Sequence, residues 1–278
     1  MPPTFVSLMY HNVVPPAGGP ASDAALSPSI TRYFVKAATF SEHLQLLAQR
    51  AHVMNAHDVQ QFYFGAASPA ASSKPRVHLT FDDGWRDCIE VGGPLLESHG
   101  FQATLFVTAD YIGKPRFVSR EELQAASGTT FHIGSHARTH CFLNELPDDQ
   151  IRYELQSSKE TLEEIVSADV DAISIPNGAV DARVRRIAAD VGYRCVFVSA
   201  THMNTRRRGA LDVGRVAIRN QTTAAEVLGF AEGRFLRERC RQQLLSLPKH
   251  VLGPGRYRSL RRRLLGEKHA QCDMHELT

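Results

Sequence analysis

Short apolar runs recur along this chain, and most of them end in a polar cluster. Residues 5–10 form the first and stop at His11; residues 77–81 form the second and stop at Asp82-Asp83-Gly84. Runs of this length, rich in β-favouring residues and bounded by turn residues, predict strands. Further strands are predicted at 103–107, 131–134, 172–175, 195–199 and 213–218. Between them the apolar spacing changes to a helical period. Phe40, Leu44 and Leu47 share one face of a helix opening near Thr39, and Ile151, Leu155, Leu162 and Ile165 share one face of a long helix over 147–166. Helices are also predicted at 87–99, weakened by Gly92-Gly93-Pro94, at 120–126, at 181–191 with Asp181 as cap, and at 222–240. Residues 14–29 and 66–74, rich in Pro, Ala, Gly and Ser, read as loop and linker.

Strands alternating with helices predict an α/β fold with a parallel sheet and helices outside. About seven strands in a single catalytic domain fit a closed or nearly closed (β/α)7-type barrel better than an open sheet. In such barrels the chemistry sits at the C-terminal ends of the strands. His11, Asp82-Asp83, His136 and Pro176-Asn177-Gly178 all fall at such ends. The domain is expected to span residues 1–233, with a basic, partly helical tail over 234–278.

Composition narrows the class. The 278 residues are 43% hydrophobic and 22% charged, ordinary for a globular protein with a sizeable core. The five cysteines are dispersed, with no Cys-x-x-Cys pair, which argues against a disulfide framework and for a reducing compartment. The N-terminus reads as a first strand and not as a signal peptide, and no stretch approaches a membrane span, so a cytoplasmic location is expected. Charge is uneven. Residues 234–268 hold eleven Lys and Arg against two Glu, a net +9, which leaves −6 on the rest of a chain whose total is +3.

Two adjacent carboxylates at a strand end repel unless something positive holds them, and a metal ion is the obvious candidate. Gly84 allows the sharp exit that turns both acids toward one site. The alternative is a strand followed by a helix that Asp83 caps. Downstream, His136-Ala137-Arg138-Thr139-His140 places two histidines four residues apart, the spacing of one face of a helical turn that can clasp a metal. Among thirteen histidines, a chance pair of this spacing is the competing reading. Two histidines and a carboxylate would leave coordination positions open for water and substrate.

Thr80-Phe81-Asp82-Asp83-Gly84, followed about fifty residues later by Ser135-His136-Ala137-Arg138-Thr139-His140, resembles the first two motifs of the NodB-type polysaccharide deacetylases, carbohydrate esterase family 4. The resemblance covers roughly residues 5–218 and implies a distorted barrel of about seven strands. It implies Asp83, His136 and His140 as metal ligands and Asp82 as the general base that activates the attacking water. Zn²⁺ is the expected ion, with Co²⁺ or Ni²⁺ compatible with the same donors. Leu8-Met9-Tyr10-His11-Asn12 resembles the opening strand of the branch that includes poly-N-acetylglucosamine deacetylases, which implies His11 as general acid. The third family motif departs. Ser174-Ile175-Pro176-Asn177-Gly178 keeps a turn whose Asn177 backbone N–H could serve an oxyanion, but the expected arginine beside the base and the aromatic wall are missing.

The expected function is metal-dependent removal of an N-acetyl or other acyl group from an amino sugar in a saccharide, glycolipid or glycoside. The alternatives are an amidohydrolase of the same barrel type acting on a non-sugar amide or cyclic imide, or a degenerate member that only binds glycans or membranes. Trp85, Tyr111 and Pro176 are candidate substrate contacts, although aromatics at such places are more often core. Arg206-Arg207-Arg208 could meet a phosphate, with a solvated loop as the bland reading. The basic tail, with its interleaved leucines, could touch an anionic membrane at its inner face. No nucleic-acid module accompanies the charge.

Overall fold

The computed structural model describes residues 3–16, 26–66 and 72–242. Strand β1 (Val6–Tyr10) leads into β2 (Asn12–Val14), which pairs in parallel with β3 (Phe34–Lys36) after the helical turn α1 (Pro28–Thr31). Helix α2 (Ala37–Arg50), strand β4 (His52–Met54) and helix α3 (Ala56–Phe64) follow. Then strands and helices alternate: β5 (Arg76–Phe81), α4 (Gly93–Ser98), β6 (Ala103–Val107), α5 (Arg120–Ala126), β7 (Phe131–Ser135), α6 (Asp148–Val166), β8 (Ala172–Ser174), α7 (Ala182–Val191), β9 (Cys195–Val198), β10 (Val213–Ala217) and α8 (Ala224–Ala231).

All the barrel pairings are parallel, in the order β1, β10, β9, β8, β7, β6, β5, and β1 pairs again with β5 from Val6↔Val77 to Tyr10↔Phe81. That last pairing closes a seven-stranded barrel with helices around it. The eighth strand, β4, lies outside the closure. One edge of β5 is taken by β1; the other is shared, β4 meeting Arg76–His78 and β6 meeting Thr80 and Phe81.

Residues alternate between the two faces of each strand, so every barrel strand carries two messages. On β5, Val77, Leu79 and Phe81 join the main apolar cluster with Phe40, Leu44 and Leu47 of α2. Their neighbours His78 and Thr80 are buried and polar. Ser7 Oγ and Thr104 Oγ1 lie 3.4 and 3.1 Å from the two His78 ring nitrogens, and Thr80 donates to the Leu8 carbonyl. A second, smaller apolar cluster includes Phe106, Ala172, Cys195, Phe197 and Val213. Phe106 and Phe197 lie 5.0 Å apart and His78 packs on Phe197, so this cluster fills the barrel interior among the polar residues.

The predicted elements match closely where the pattern was long. Helix α5 has the predicted bounds, and Asp181 caps α7 by accepting from the Val184 N–H. Two predicted helices break. The one over 87–99 becomes a π turn (Cys88–Gly92) before α4, because Pro94 lacks an N–H and is tolerated only in a first helical turn. The one over 222–240 stops at Ala231, where Gly233 turns at φ +83°, and helical backbone resumes at residue 236. Strands β2, β3 and β4 were not predicted, since three residues carry too little periodicity to be read. Helix α3 was also missed, although Asn55 and Asp58 form a capping box at its start.

The expected boundary at 233/234 falls inside packed structure. Phe235 is 4% exposed, Glu238 pairs with Arg219 at 2.7 Å, and Gln242 bonds the Ser199 carbonyl and the Thr201 N–H. The rest of the predicted tail lies outside the described residues. No helix among those described is long and apolar enough to cross a membrane.

The interior leaves no room for a methyl group at Gly134 on β7, where a Cβ would stand 2.5 Å from the Phe106 ring. Gly134→Ala is expected to destabilise the fold by about 1–3 kcal/mol. Urea denaturation measures this, and adding Phe106→Leu should recover part of the loss.

Candidate functional site

Strand β5 delivers two carboxylates at its end and gives them different surroundings. Asp82 continues the inward face of the strand, 3% exposed, while Asp83 turns at φ +78° and Gly84 at φ +90°. Gly84 is required in space as well as in conformation, because a Cβ would press on Val107 at 3.1 Å. This double left-handed turn is not a helix cap. It aims Asp83 across the barrel mouth.

The two histidines arrive on the loop after β7. The helical turn predicted for them is absent: Ala137 and His140 both have positive φ, 58° and 62°, and the segment is irregular. Backbone and side-chain bonds hold it in place of helical ones. On the β6 side, the His136 N–H bonds the Val107 carbonyl, and the Asp110 N–H bonds the Arg138 carbonyl. On the α6 side, buried Glu154 accepts from the Arg138 N–H (3.1 Å), the Thr139 N–H (2.9 Å) and the Thr139 hydroxyl (2.8 Å). One helical turn later, Ser158 bonds the Ala137 carbonyl at 3.0 Å.

The result is convergence. His136 Nε2 stands 3.5 Å and His140 Nε2 3.4 Å from Asp83 Oδ1, and the three ligating atoms lie within 4.8 Å of one another. Donors around one tetrahedral ion with bonds of ~2.0–2.1 Å would sit roughly 3.3 Å apart, so the spacing suits a shared cation better than direct hydrogen bonds. The outer contacts agree. His136 Nδ1 bonds the Ser174 carbonyl at 2.8 Å, which requires the proton on Nδ1 and leaves the Nε2 lone pair facing inward. Trp85 Nε1 donates to Asp83 Oδ2 at 3.0 Å, leaving Oδ1 to face the two histidines. The donor set fits a divalent cation.

Beside this cluster stands a residue that the sequence reading missed. Arg215, on β10, is fully buried and grips Asp82 with both ends of its guanidinium, Nη1 to Oδ1 at 2.6 Å and Nη2 to Oδ2 at 2.8 Å. The same Nη2 donates to Ser174 Oγ at 2.7 Å, and Ser174 in turn donates to Asp82 Oδ2. Ser174 occupies the position where an arginine was expected, so the missing cation is supplied from another strand. The signal was present as one charged residue in the apolar run 213–218. Burial alone would raise the Asp82 carboxyl; the Arg215 charge and hydrogen bond reverse that and keep it below its ordinary value.

His11 follows β1 into the mouth, on the same face as Ser7 and Met9. Its ring stacks on Tyr33 at 4.5 Å, and its buried Nδ1 makes no hydrogen bond. Burial lowers its pKa, while the charges of Asp83 and Asp82 pull the other way. Asn177 caps the turn after β8 with φ 58°, and its side-chain amide reaches the His140 carbonyl at 3.4 Å.

The other candidate contacts are relocated. Trp85 is 0% exposed, stacked on Phe117 at 4.6 Å with Phe34 at its edge, so no sugar can lie on it; it orients Asp83 instead. Tyr111 is 2% exposed and backs His140 at 6.3 Å, and Pro176 is buried. Arg206 bonds the carbonyls of Phe62 and Gly65 at the end of α3, and Arg208 pairs with Asp212. Because residue 204 pairs with Phe5 ahead of β1, those arginines lie at the opposite end of the barrel from the histidines.

Residues 70–196 match the family model described as Polysaccharide deacetylase. The Bacillus subtilis (strain 168) protein YxkH, provisionally named a polysaccharide deacetylase, is 27% identical over 146 residues, 52% of this chain and 52% of that protein. The chain therefore spans about half the length of that curated relative. Among solved structures, the Streptococcus pyogenes deacetylase PplD, determined in complex with acetate, has a TM-score of 0.70 at 22% identity, covering 82% of this chain and 98% of that one. IcaB from Ammonifex degensii has a TM-score of 0.69 at 20% identity, covering 82% and 97%. BC0361, a polysaccharide deacetylase from Bacillus cereus, has a TM-score of 0.66 at 22% identity, covering 81% and 69%. At these identities the likeness to solved structures is one of fold, the same α/β barrel.

The buried Asp82–Arg215 pair has a measurable signature. Arg215→Leu leaves Asp82 charged and unpaired in the barrel, and should cost about 3–5 kcal/mol in urea denaturation. Asp82→Asn in the same background should recover much of that loss; no recovery would mean the two side chains are not energetically coupled.

Proposed function

Starting from a chain whose residues 70–196 belong to the polysaccharide deacetylase family, we propose that this protein is a metal-dependent hydrolase that removes N-acetyl groups from the amino sugars of a saccharide. The observation that carries the reading is the division of the paired aspartates. Asp83 converges with His136 and His140 on one point, while Asp82, one residue away, is kept out of that set by Arg215 and Ser174.

A divalent cation held by Asp83, His136 and His140 would polarise the acetamide carbonyl and lower the pKa of water toward ~7. The chain's own groups supply the rest. Asp82, ionised and fixed by the bidentate arginine, takes the proton of the attacking water. Arg215 prevents the carboxylate from rotating and holds its ionised state against burial. The Asn177 N–H, at the turn after β8, is the oxyanion donor in this reading. His11 delivers a proton to the departing amine, so acetate and a free amino sugar leave. The stack on Tyr33 fixes the His11 ring against the wall of the mouth. Glu154 and Ser158 act at one remove by holding the loop that presents both histidines.

The non-catalytic alternative drew its force from the arginine missing in the third motif. Arg215 meets Asp82 in its place, which favours the enzyme.

Purified protein should retain about one divalent ion per chain and release acetate from an N-acetylglucosamine oligomer, with activity lost to a chelator and restored by Zn²⁺ or Co²⁺. Asp82→Asn should abolish turnover while keeping the metal, and Asp83→Ala should lose both. A chain that retains no metal, and releases no acetate when metal is added, would sink the proposal.

Glu154→Ala should weaken metal retention by roughly 10- to 100-fold, through loss of the loop clamp. Competition with a chromogenic chelator checks this. An unchanged metal affinity would show that the loop holds its shape without the carboxylate.

A further inference from the structure

A deacetylase that works on a polymer needs a place for the sugars beside the one being cleaved, and the metal cluster does not provide it. Trp85 and Tyr111 beside that cluster are sealed, 0% and 2% exposed, and half-buried Tyr33 is stacked on the His11 ring. Among the described residues, the large exposed hydrophobic side chains are Phe64, Tyr153 and Leu236. Phe64 ends α3 and is covered by the Arg194 guanidinium at 4.5 Å, and Leu236 lies in the C-terminal segment. Tyr153 stands on the second turn of α6, one residue before the Glu154 that holds the histidine loop.

Three groups meet there. Arg138, midway between His136 and His140, places its guanidinium 5.0 Å from the Tyr153 ring centre and bonds the Tyr153 hydroxyl. Asp110, after β6, receives the Arg138 Nε at 3.2 Å. All three side chains face solvent in part, Tyr153 at 58% exposure. As a stabilising device such an exposed cluster is weak, because solvent screens its charges. As a binding surface it is well furnished. The guanidinium lies toward the hydroxyl end of the ring, and much of the ring stays exposed. The charges balance, so the patch suits a neutral ligand and not a polyanion.

We propose that Asp110, Arg138 and Tyr153 form a subsite for a neutral pyranose ring, next along the saccharide chain from the residue held at the metal cluster. The C–H face of the pyranose packs on the exposed ring of Tyr153, and its hydroxyl edge meets the Arg138 guanidinium and the Asp110 carboxylate. The proposal rests on the N-deacetylase reading and adds to it a preference for chains over single sugars. Because Arg138 shares a five-residue loop with both histidines, the subsite is continuous with the catalytic cluster.

The test is calorimetric titration of the zinc-loaded full chain with β-1,4-linked N-acetylglucosamine pentamer and with the monomer, for the wild type, Tyr153→Ala and Tyr153→Phe. The pentamer should bind the wild type more tightly than the monomer does. Tyr153→Ala should weaken pentamer binding by roughly five- to tenfold, and Tyr153→Phe, which keeps the stacking face, should stay within about twofold of the wild type. Three results overturn the subsite: a pentamer that binds no better than the monomer, an alanine variant that binds like the wild type, or a phenylalanine variant as weak as the alanine one. The last would show that the hydroxyl bond to Arg138 matters and the ring face does not. Acetate release is scored separately. Pentamer binding without acetate release fails the reaction and leaves the saccharide subsite standing.

Discussion

A buried ion pair sets the terms for this barrel. Asp82 and Arg215 face each other inside it, on strands β5 and β10, which are not neighbours in the sheet. A charge in such a place is tolerated only if its partner is fixed in geometry and its remaining valences are met. Here the guanidinium is bidentate, and Ser174 closes a triangle with both partners. The pair therefore ties the ends of β5 and β8 to the middle of β10. It also bears on chemistry, since a carboxylate held this way is ionised, aimed and kept apart from the neighbouring Asp83–His136–His140 cluster.

The periodicity of two along the strands makes this possible. Outward residues such as Val77, Leu79 and Phe81 bind the strands to the helical shell. Inward residues combine an apolar plug around Phe106 and Phe197, the Ser7–His78–Thr104 contacts and, toward the mouth, Asp82 and Arg215, whose guanidinium lies 5.6 Å from the Phe106 ring. The interior is thus packed, and the mouth end carries polar groups that satisfy one another. The Asp83–His136–His140 cluster sits at that mouth, and its precision comes from outside the barrel. Glu154 and Ser158, on one face of α6, hold an irregular loop with two left-handed residues in the single shape that turns both histidines toward Asp83.

Much of this was legible along the chain. The strand ends that carry His11, Asp82-Asp83 and His136 were found from local pattern, because a buried strand announces its length and its end through nearby residues alone. The pairing of Asp83 with His136 and His140 was legible too, since a carboxylate at a strand end and two histidines at short spacing are chemically suggestive before any contact is known. The shape of the histidine loop was not legible. Spacing of four residues suits a helical turn, and only the bonds to Val107, Asp110, Glu154 and Ser158 override that preference.

What the chain by itself determined was most of the strands and helices and the α/β barrel class, from local pattern, and Asp83, His136 and His140 as a candidate set, from the resemblance of two motifs. What tertiary structure decided was everything that depends on a partner far away. Arg215 meets Asp82 across 133 positions, Trp85 turns out to be an orienting donor sealed in the core, and Tyr153 comes to stand beside the histidine loop. The reason is physical. Periodicity reports which side of an element is buried, but not which buried group lies opposite, and that is set only when the barrel closes and brings β10 round to β1 and β5.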